Sequence, residues 1–389
     1  MKIIDYSELL QLNIKAITAS NRDRGCYALY GENRLFIVDI ITRKTTEIAY
    51  LPNIKTVFGK PENEMLNGKE LEISIAFHDP YVCVAERFGL NAALINIDTG
   101  IVREFQREDY CSEVSSYSIG FIERDNNVLL ICQTQWNRLD IFNAETGENL
   151  TEREVFIRKT DRRTENGNPE YEQKNYLDFF HSCLHVSPDG KHFLSNGWLW
   201  HPFGQILMFE TSEFLRIFEL GCIDTDCGSP YNWDRPCAFI DNDIFVIALD
   251  DRKKVGFWDE DVLQDYEYFQ LAFFRTDAEA IVCEGDYRII RPFRKSKCSV
   301  FTPGREGEIK GLLSYDKSAG YLVALTHDKG AFAVSLDGEI LENLVDVTSV
   351  HSDAFSESAL EIDWNYSTEY HTFYTWREQV GIIEKGFSK

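Results

Sequence analysis

His185-Val186-Ser187-Pro188-Asp189-Gly190-Lys191-His192-Phe193-Leu194 places two apolar segments on either side of a short turn. Pro188 presets the first corner of that turn, Asp189 tolerates the second, and Gly190 accepts a positive φ. The stretch therefore reads as strand, turn, strand. Gln205-Ile206-Leu207-Met208-Phe209 and Phe214-Leu215-Arg216-Ile217-Phe218 read as the next hairpin, which makes a unit of four strands.

The layout recurs in both directions without the same letters. First-to-second strand turns are expected near Asn21–Gly25, His78–Pro80, Glu123–Asn127, Asp241–Asp243, Arg275–Asp277, Tyr315–Gly320 and Ser367–Glu369. Each precedes a run such as Tyr81-Val82-Cys83-Val84-Ala85 or Ile244-Phe245-Val246-Ile247-Ala248, rich in the β-branched and aromatic residues that strands favour. Third-to-fourth strand turns are marked by Asp98-Thr99-Gly100, Glu145-Thr146-Gly147 and Asp337-Gly338, which is hairpin chemistry. The units repeat at roughly 35 to 65 residues, the spacing of propeller blades. A four-stranded sheet cannot cover both of its faces alone, and radial stacking does so. No amphipathic helical pattern alternates with the strands, which weighs against an α/β fold.

With these residues in view the chain resembles the WD-repeat and YVTN-type β-propeller superfamily. The Ser187-Pro188-Asp189-Gly190 turn and the Phe257-Trp258-Asp259 strand end are the nearest matches, while the Gly-His opening of a WD repeat is absent. The resemblance implies an all-β fold, one propeller domain over residues 1–389, with four-stranded antiparallel blades. Eight first-hairpin turns can be counted. The unit from Leu271 to Phe301 is short and is open to assignment to the blade before it. Seven blades is the expectation, with eight kept open. Met1 to Tyr6 is expected to close the ring beside Tyr370 to Ile383, leaving no free edge.

Composition narrows the setting. Of 389 residues 64 are acidic and 40 basic, a net charge of −24, which disfavours nucleic-acid and anionic-membrane partners. The opening Met1-Lys2-Ile3-Ile4-Asp5-Tyr6 does not read as a secretory signal, and no apolar run is long enough for a membrane span. The ten cysteines then read as reduced thiols of a cytoplasmic protein.

A binding surface is expected where loops are long. The connections between blades, and from second to third strands, emerge on one face and carry the insertions at Leu51–Glu70, Phe156–Leu177, Leu220–Trp233 and Asp346–Ser358. The other face is expected to be plain. Second-to-third connections place Trp136, Trp198, Trp200, His201, Asp250, Arg252, His327, Asp328, Trp376 and Arg377 on the elaborated face. Tryptophan and arginine are enriched in binding hot spots, and the same tryptophans could equally pack between blades. Phe156–Tyr176 reads as a polar surface loop, with a partner-binding loop as the sharper alternative.

Catalytic and metal signatures are weak. His181 and His185 on a strand stand about 13 Å apart, too far for one metal. Cys222, Cys227 and Cys237 lack the tight pairing of structural zinc sites. No nucleophile elbow, phosphate loop or His-Glu-x-x-His occurs, so no catalytic residue, metal ligand or cofactor is assigned. Basic residues between Tyr287 and Lys310 read as a solvated blade edge, with a site for an anionic ligand as the alternative. The expected role is a platform for another protein or a ligand. The alternative is a hydrolase or lyase with Glu86, Asp250 and Asp328 around a metal at the channel mouth.

Overall fold

The computed structural model describes residues 2–5, 14–20, 26–39, 42, 44–56, 71–163, 167, 169–200, 203–230, 232–250, 269–285, 287–301, 311–326, 330–345, 364–367, 372–375 and 381–384. Its strands form antiparallel meanders taken in chain order. β1 (Lys2–Asp5) stands apart and is placed last. β2 (Ile14–Ala19), β3 (Cys26–Gly31), β4 (Arg34–Asp39) and β5 (Lys44–Tyr50) make one sheet. β6 (Ile73–His78), β7 (Tyr81–Glu86), β8 (Asn91–Asn96) and β9 (Val102–Gln106) make the next. β10 (Ile119–Arg124), β11 (Asn127–Gln135) and β12 (Arg138–Asn143) follow, with a single bridge from Phe142 to Asn149 in the fourth-strand place.

A two-stranded ribbon, β13 (Phe156–Arg163) and β14 (Pro169–Lys174), comes before the following blade. That blade holds β15 (Phe180–Val186), β16 (His192–Leu199) and β17 (Phe203–Glu210), flanked by the short β18 (Ile223–Asp224) and β19 (Ser229–Pro230). β20 (Cys237–Phe239), β21 (Ile244–Asp250) and β22 (Phe269–Arg275) pair in order, and β22 then pairs with β25 (Arg294–Cys298). Between them the hairpin β23 (Ile281–Glu284) and β24 (Tyr287–Ile290) reaches back to β18. β26 (Gly311–Asp316), β27 (Tyr321–Thr326), β28 (Gly330–Val334) and β29 (Ile340–Val345) form another blade. β30 (Trp364–Ser367), β31 (Thr372–Thr375) and β32 (Gly381–Glu384) are completed by β1, in the register Lys2 to Glu384 through Asp5 to Gly381.

The chain is a β-propeller, and the packing shows why. Among the described residues, apolar clusters join successive sheets from β2–β5 to β26–β29 rather than lying within one sheet. Ala28, Tyr30 and Leu35 meet Phe77, Val82 and Val84, while Tyr81, Cys83 and Leu94 meet Leu130 and Cys132. Ile131, Leu139 and Ile141 meet Phe193 and Phe209, and Leu194, Ile206 and Met208 meet Phe245 and Phe274. Val246 and Leu271 meet Leu313 and Leu322. Second strands are therefore covered on both faces, so β3 and β7 are buried throughout and read as apolar runs. Fourth strands such as β5 and β9 sit on the rim and are largely open.

The turns follow their residues. Asp125 and Asn126 both have positive φ, as the two-residue turn between β10 and β11 requires. Gly190 sits at φ +69, and a Cβ there would come within 2.7 Å of Ile122 Cγ2 on the neighbouring blade. Gly190→Ala is expected to lose about 2 kcal/mol from the left-handed backbone and this approach together. A urea midpoint equal to that of the unmodified chain would refute it.

Two expectations change here, and one left open is decided. Residues 214–218 are not a strand: α1 (Thr211–Ile217) and a 3-10 turn (Phe218–Gly221) occupy the connection. Helical spacing lets Phe214 reach Phe193 and Phe209 in the interblade core. The stretch from Leu271 to Phe301 belongs to the blade begun by β20, since β22 and β25 pair with each other across the β23–β24 excursion. The face opposite the long loops is consequently not plain, because α1 and the β23–β24 hairpin both rise there and are joined by an Arg288–Glu213 ion pair. The basic residues of that region are paired as a blade edge would be: Arg291 with Glu284 at 2.7 Å, and Arg294 with the Leu336 carbonyl at 2.7 Å. Among the described residues no helix is long and apolar enough to cross a membrane.

Candidate functional site

Strand register builds an aromatic cluster where the β15–β17 blade meets the blade before it. Phe180 on β15 pairs opposite Trp198 on β16, and cross-strand partners face the same side. Their rings stack at 3.7 Å with 5° between planes. Trp200 lies two residues beyond Trp198 and its ring meets Phe180 edge-on at 5.2 Å. Trp136, in the β11–β12 turn, reaches Phe180 at 4.4 Å. Tyr110 stacks on Phe180 at 5.8 Å and touches Trp136 and Trp200 edge-on at 5.5 and 6.1 Å. Tyr176 joins at Trp136, and Trp233 at Trp198.

The cluster has a locked base and an open top. Phe180 and Trp198 are buried, whereas Tyr110 is 46% and Trp200 47% exposed. Trp198 Nε1 donates to Ser115 Oγ at 2.8 Å, and Trp233 Nε1 donates to the Val114 carbonyl at 3.0 Å. The loop carrying Tyr110 is fixed from beneath by buried Arg107. Its guanidinium donates to the carbonyls of Gly89, Ser112 and Ser115 at 2.7, 2.9 and 2.8 Å, and to Gln133 Oε1 at 2.7 Å. The Tyr117 ring lies 4.7 Å away. Burial pushes the Arg107 pKa down to about 10.

A polar chain runs alongside. Arg87 Nη1 donates to Glu72 at 2.6 Å and Arg87 Nε to Ser116 Oγ at 3.0 Å. Ser116 donates to Asp234 Oδ2 at 2.7 Å, and the Cys183 backbone N–H to Asp234 Oδ1 at 3.1 Å. Asp234 has φ +54, a conformation the two hydrogen bonds hold in place. Burial, followed by the Asp234 charge, pushes the Cys183 thiol up to about 12, so it is not an activated nucleophile. Burial holds His185 down at about 4.

Of the ten residues expected on the elaborated face, Trp136, Trp198 and Trp200 come together. Trp198 is core rather than surface: it supports the cluster from below, because its register partner Phe180 covers it. His201, Arg252, His327, Asp328, Trp376 and Arg377 lie outside the described residues, as does the Asp250 side chain at the end of β21. Tyr176 and Trp233 lie at the ends of long interblade insertions expected on this face, whereas Tyr110 and Phe180 carry no such signal in the sequence.

Glu86, the carboxylate expected at the channel mouth, is buried and already used. It accepts from the backbone N–H groups of Lys55, Leu90 and Asn91 at 2.7, 2.8 and 3.1 Å, and from Asn91 Nδ2 at 2.8 Å. These four donors make it a clamp for two loops. Among the described residues no three His, Cys, Asp or Glu side chains converge as a metal site would require. His181 and Ser195 share a buried hydrogen bond at 2.9 Å.

No family model matches the chain, and no curated protein matches it. Among solved structures it is similar to the hydrazine synthase of Kuenenia stuttgartiensis. The identity is 13%, over 84% of this chain and 77% of that one, with a TM-score of 0.49. It is also similar to the Dos1 propeller, at 10% identity over 98% of this chain and 85% of that one, again with a TM-score of 0.49. The propeller assignment itself stands on the strand pairing and interblade packing.

Proposed function

We propose that this propeller is a non-enzymatic platform that binds a protein partner through the aromatic face capped by Tyr110 and Trp200. One observation carries the reading: two large aromatic rings are held nearly half-exposed on a base that allows them no retreat. Rigid aromatic side chains gain contact area at little cost in conformational freedom, which suits them to interfaces. A WD-repeat-like ancestry and a cytosolic setting belong to the same proposal. All ten cysteines are free thiols, as a reducing compartment would keep them.

The test is site-specific photo-crosslinking in the native cell, from positions 110 and 200 and from position 287 on the β23–β24 hairpin as the control. One protein species captured from 110 and 200 and absent at 287 is expected. Tyr110→Ala with Trp200→Ala is expected to weaken that species' binding at least about tenfold, roughly 1.4 kcal/mol, with the thermal midpoint little changed. Equal labelling from 287, or a double variant that binds as the unmodified chain does, would overturn the proposal.

A further inference from the structure

The segment from Phe156 to Lys174 reads in the sequence as a polar loop, but it is a ribbon of two strands paired only with each other among the described residues. Among the described residues, each strand therefore has an outward edge of backbone N–H and C=O groups that no other strand pairs with. Two-stranded ribbons are marginal in water, and a third strand is what stabilises them. In the register Ile157 to Gln173 and Lys159 to Tyr171, Ile157 and Tyr171 share one face, 45% and 59% exposed. Arg158, on the other face, is paired with Glu172 at 2.7 Å.

Charge separates the two edges. β13, Phe-Ile-Arg-Lys-Thr-Asp-Arg-Arg, carries four basic residues and one acidic, 4 − 1 = +3, on a chain whose net charge is −24. Among the described residues no carboxylate pairs with Lys159 or Arg162. Basic residues on an edge strand repel a second basic edge, which disfavours pairing of β13 with β13 of another copy. The same charges favour an acidic strand, because opposite charges across a ladder stabilise it. A nucleic acid would meet the same basic side chains but would leave the backbone edge unused.

We infer that the β13 edge is a docking strand for an extended acidic segment of a partner protein, added as the third strand of the ribbon. Ladder hydrogen bonds to Phe156–Lys159 supply the affinity, Lys159 and Arg162 supply the charge selection, and Ile157 and Tyr171 take apolar side chains on one face. The ribbon leads through Tyr176 to Trp136, so a segment on it would lie beside the aromatic face without depending on it.

The probe is a fluorescent peptide of alternating valine and glutamate, titrated against the full chain. Saturable binding is expected, with slowed amide exchange in β13 and weakening at high salt. Lys159→Glu with Arg162→Glu is expected to weaken it at least about tenfold and to admit the alternating valine–lysine peptide instead. That exchange of preference also shows that the variant is folded. Trp200→Ala is expected to leave the probe unaffected, which separates this inference from the aromatic platform. Three outcomes would overturn it: equal binding of a backbone N-methylated acidic peptide, equal binding of a neutral valine–threonine peptide, or equal binding of a short oligothymidylate, which would mark a polyanion site.

Discussion

Replacing Glu219 by alanine is expected to lower the unfolding free energy by about 3–5 kcal/mol. The reason is a charge network closed off from water. Arg153 Nη2 donates to both oxygens of Glu219 at 2.5 Å, and Arg153 Nη1 donates to Asp140 Oδ1 at 3.0 Å. The three side chains are only 3%, 1% and 1% exposed. Leu139 N–H adds a bond to Glu219 at 2.8 Å, Thr151 and Arg138 serve Asp140, and the guanidinium lies 4.4 Å from the Phe218 ring. Removing Glu219 leaves Arg153 buried with one carboxylate instead of two and strips the 3-10 turn of its tie to β12. Denaturant unfolding measures the loss. The companion variant Arg153→Met with Glu219→Leu is expected to recover much of it, since paired apolar replacements of buried ions are often tolerated. Glu219→Ala costing under 1 kcal/mol would show that solvent reaches the network.

The same network marks the limit of what the sequence discloses. The repeat was legible because each blade is local: a turn such as Ser187–Gly190 and the strands around it are fixed by neighbours within about ten residues. Trp136 and Trp200 were legible as surface candidates because second-to-third turns occupy a known rim of a propeller. Tyr176 and Trp233 were legible only as parts of long interblade insertions, and Tyr110 not at all, because in such connections no period predicts direction. Phe180 and Trp198 needed the register of β15 against β16, which the bulge between Phe180 and Cys183 shifts. Arg153 and Glu219 are 66 residues apart, and no pattern in either segment names the other. α1 was missed because a seven-residue helix with Phe214, Leu215 and Ile217 has the apolar content of a strand.

Acid is expected to weaken the fold through His181 well above the range where carboxylates dominate. His181 is fully buried beside Phe179, with its ring centroid 5.1 Å from that ring. Burial pushes its pKa down to about 3, and the Arg153 guanidinium pushes in the same direction. In the unfolded chain a histidine titrates near 6.5. Below about pH 6.5 the unfolded state therefore binds a proton that the folded state refuses, and folding stability falls with pH until about 3, where both states are protonated. The slope is about 1.4 kcal/mol per pH unit, so roughly 2 kcal/mol is lost to this residue between pH 6.5 and 5. Carboxylates add their own dependence, and a variant separates the two. His181→Phe with Ser195→Ala removes the titrating ring together with the hydroxyl that shares its hydrogen bond. Urea unfolding of both proteins across pH 7.5 to 5 should give curves that converge by about 2 kcal/mol towards acid. Parallel curves would mean that the imidazole is protonated in the folded state, and that the interblade core around Phe179 and Phe209 admits water.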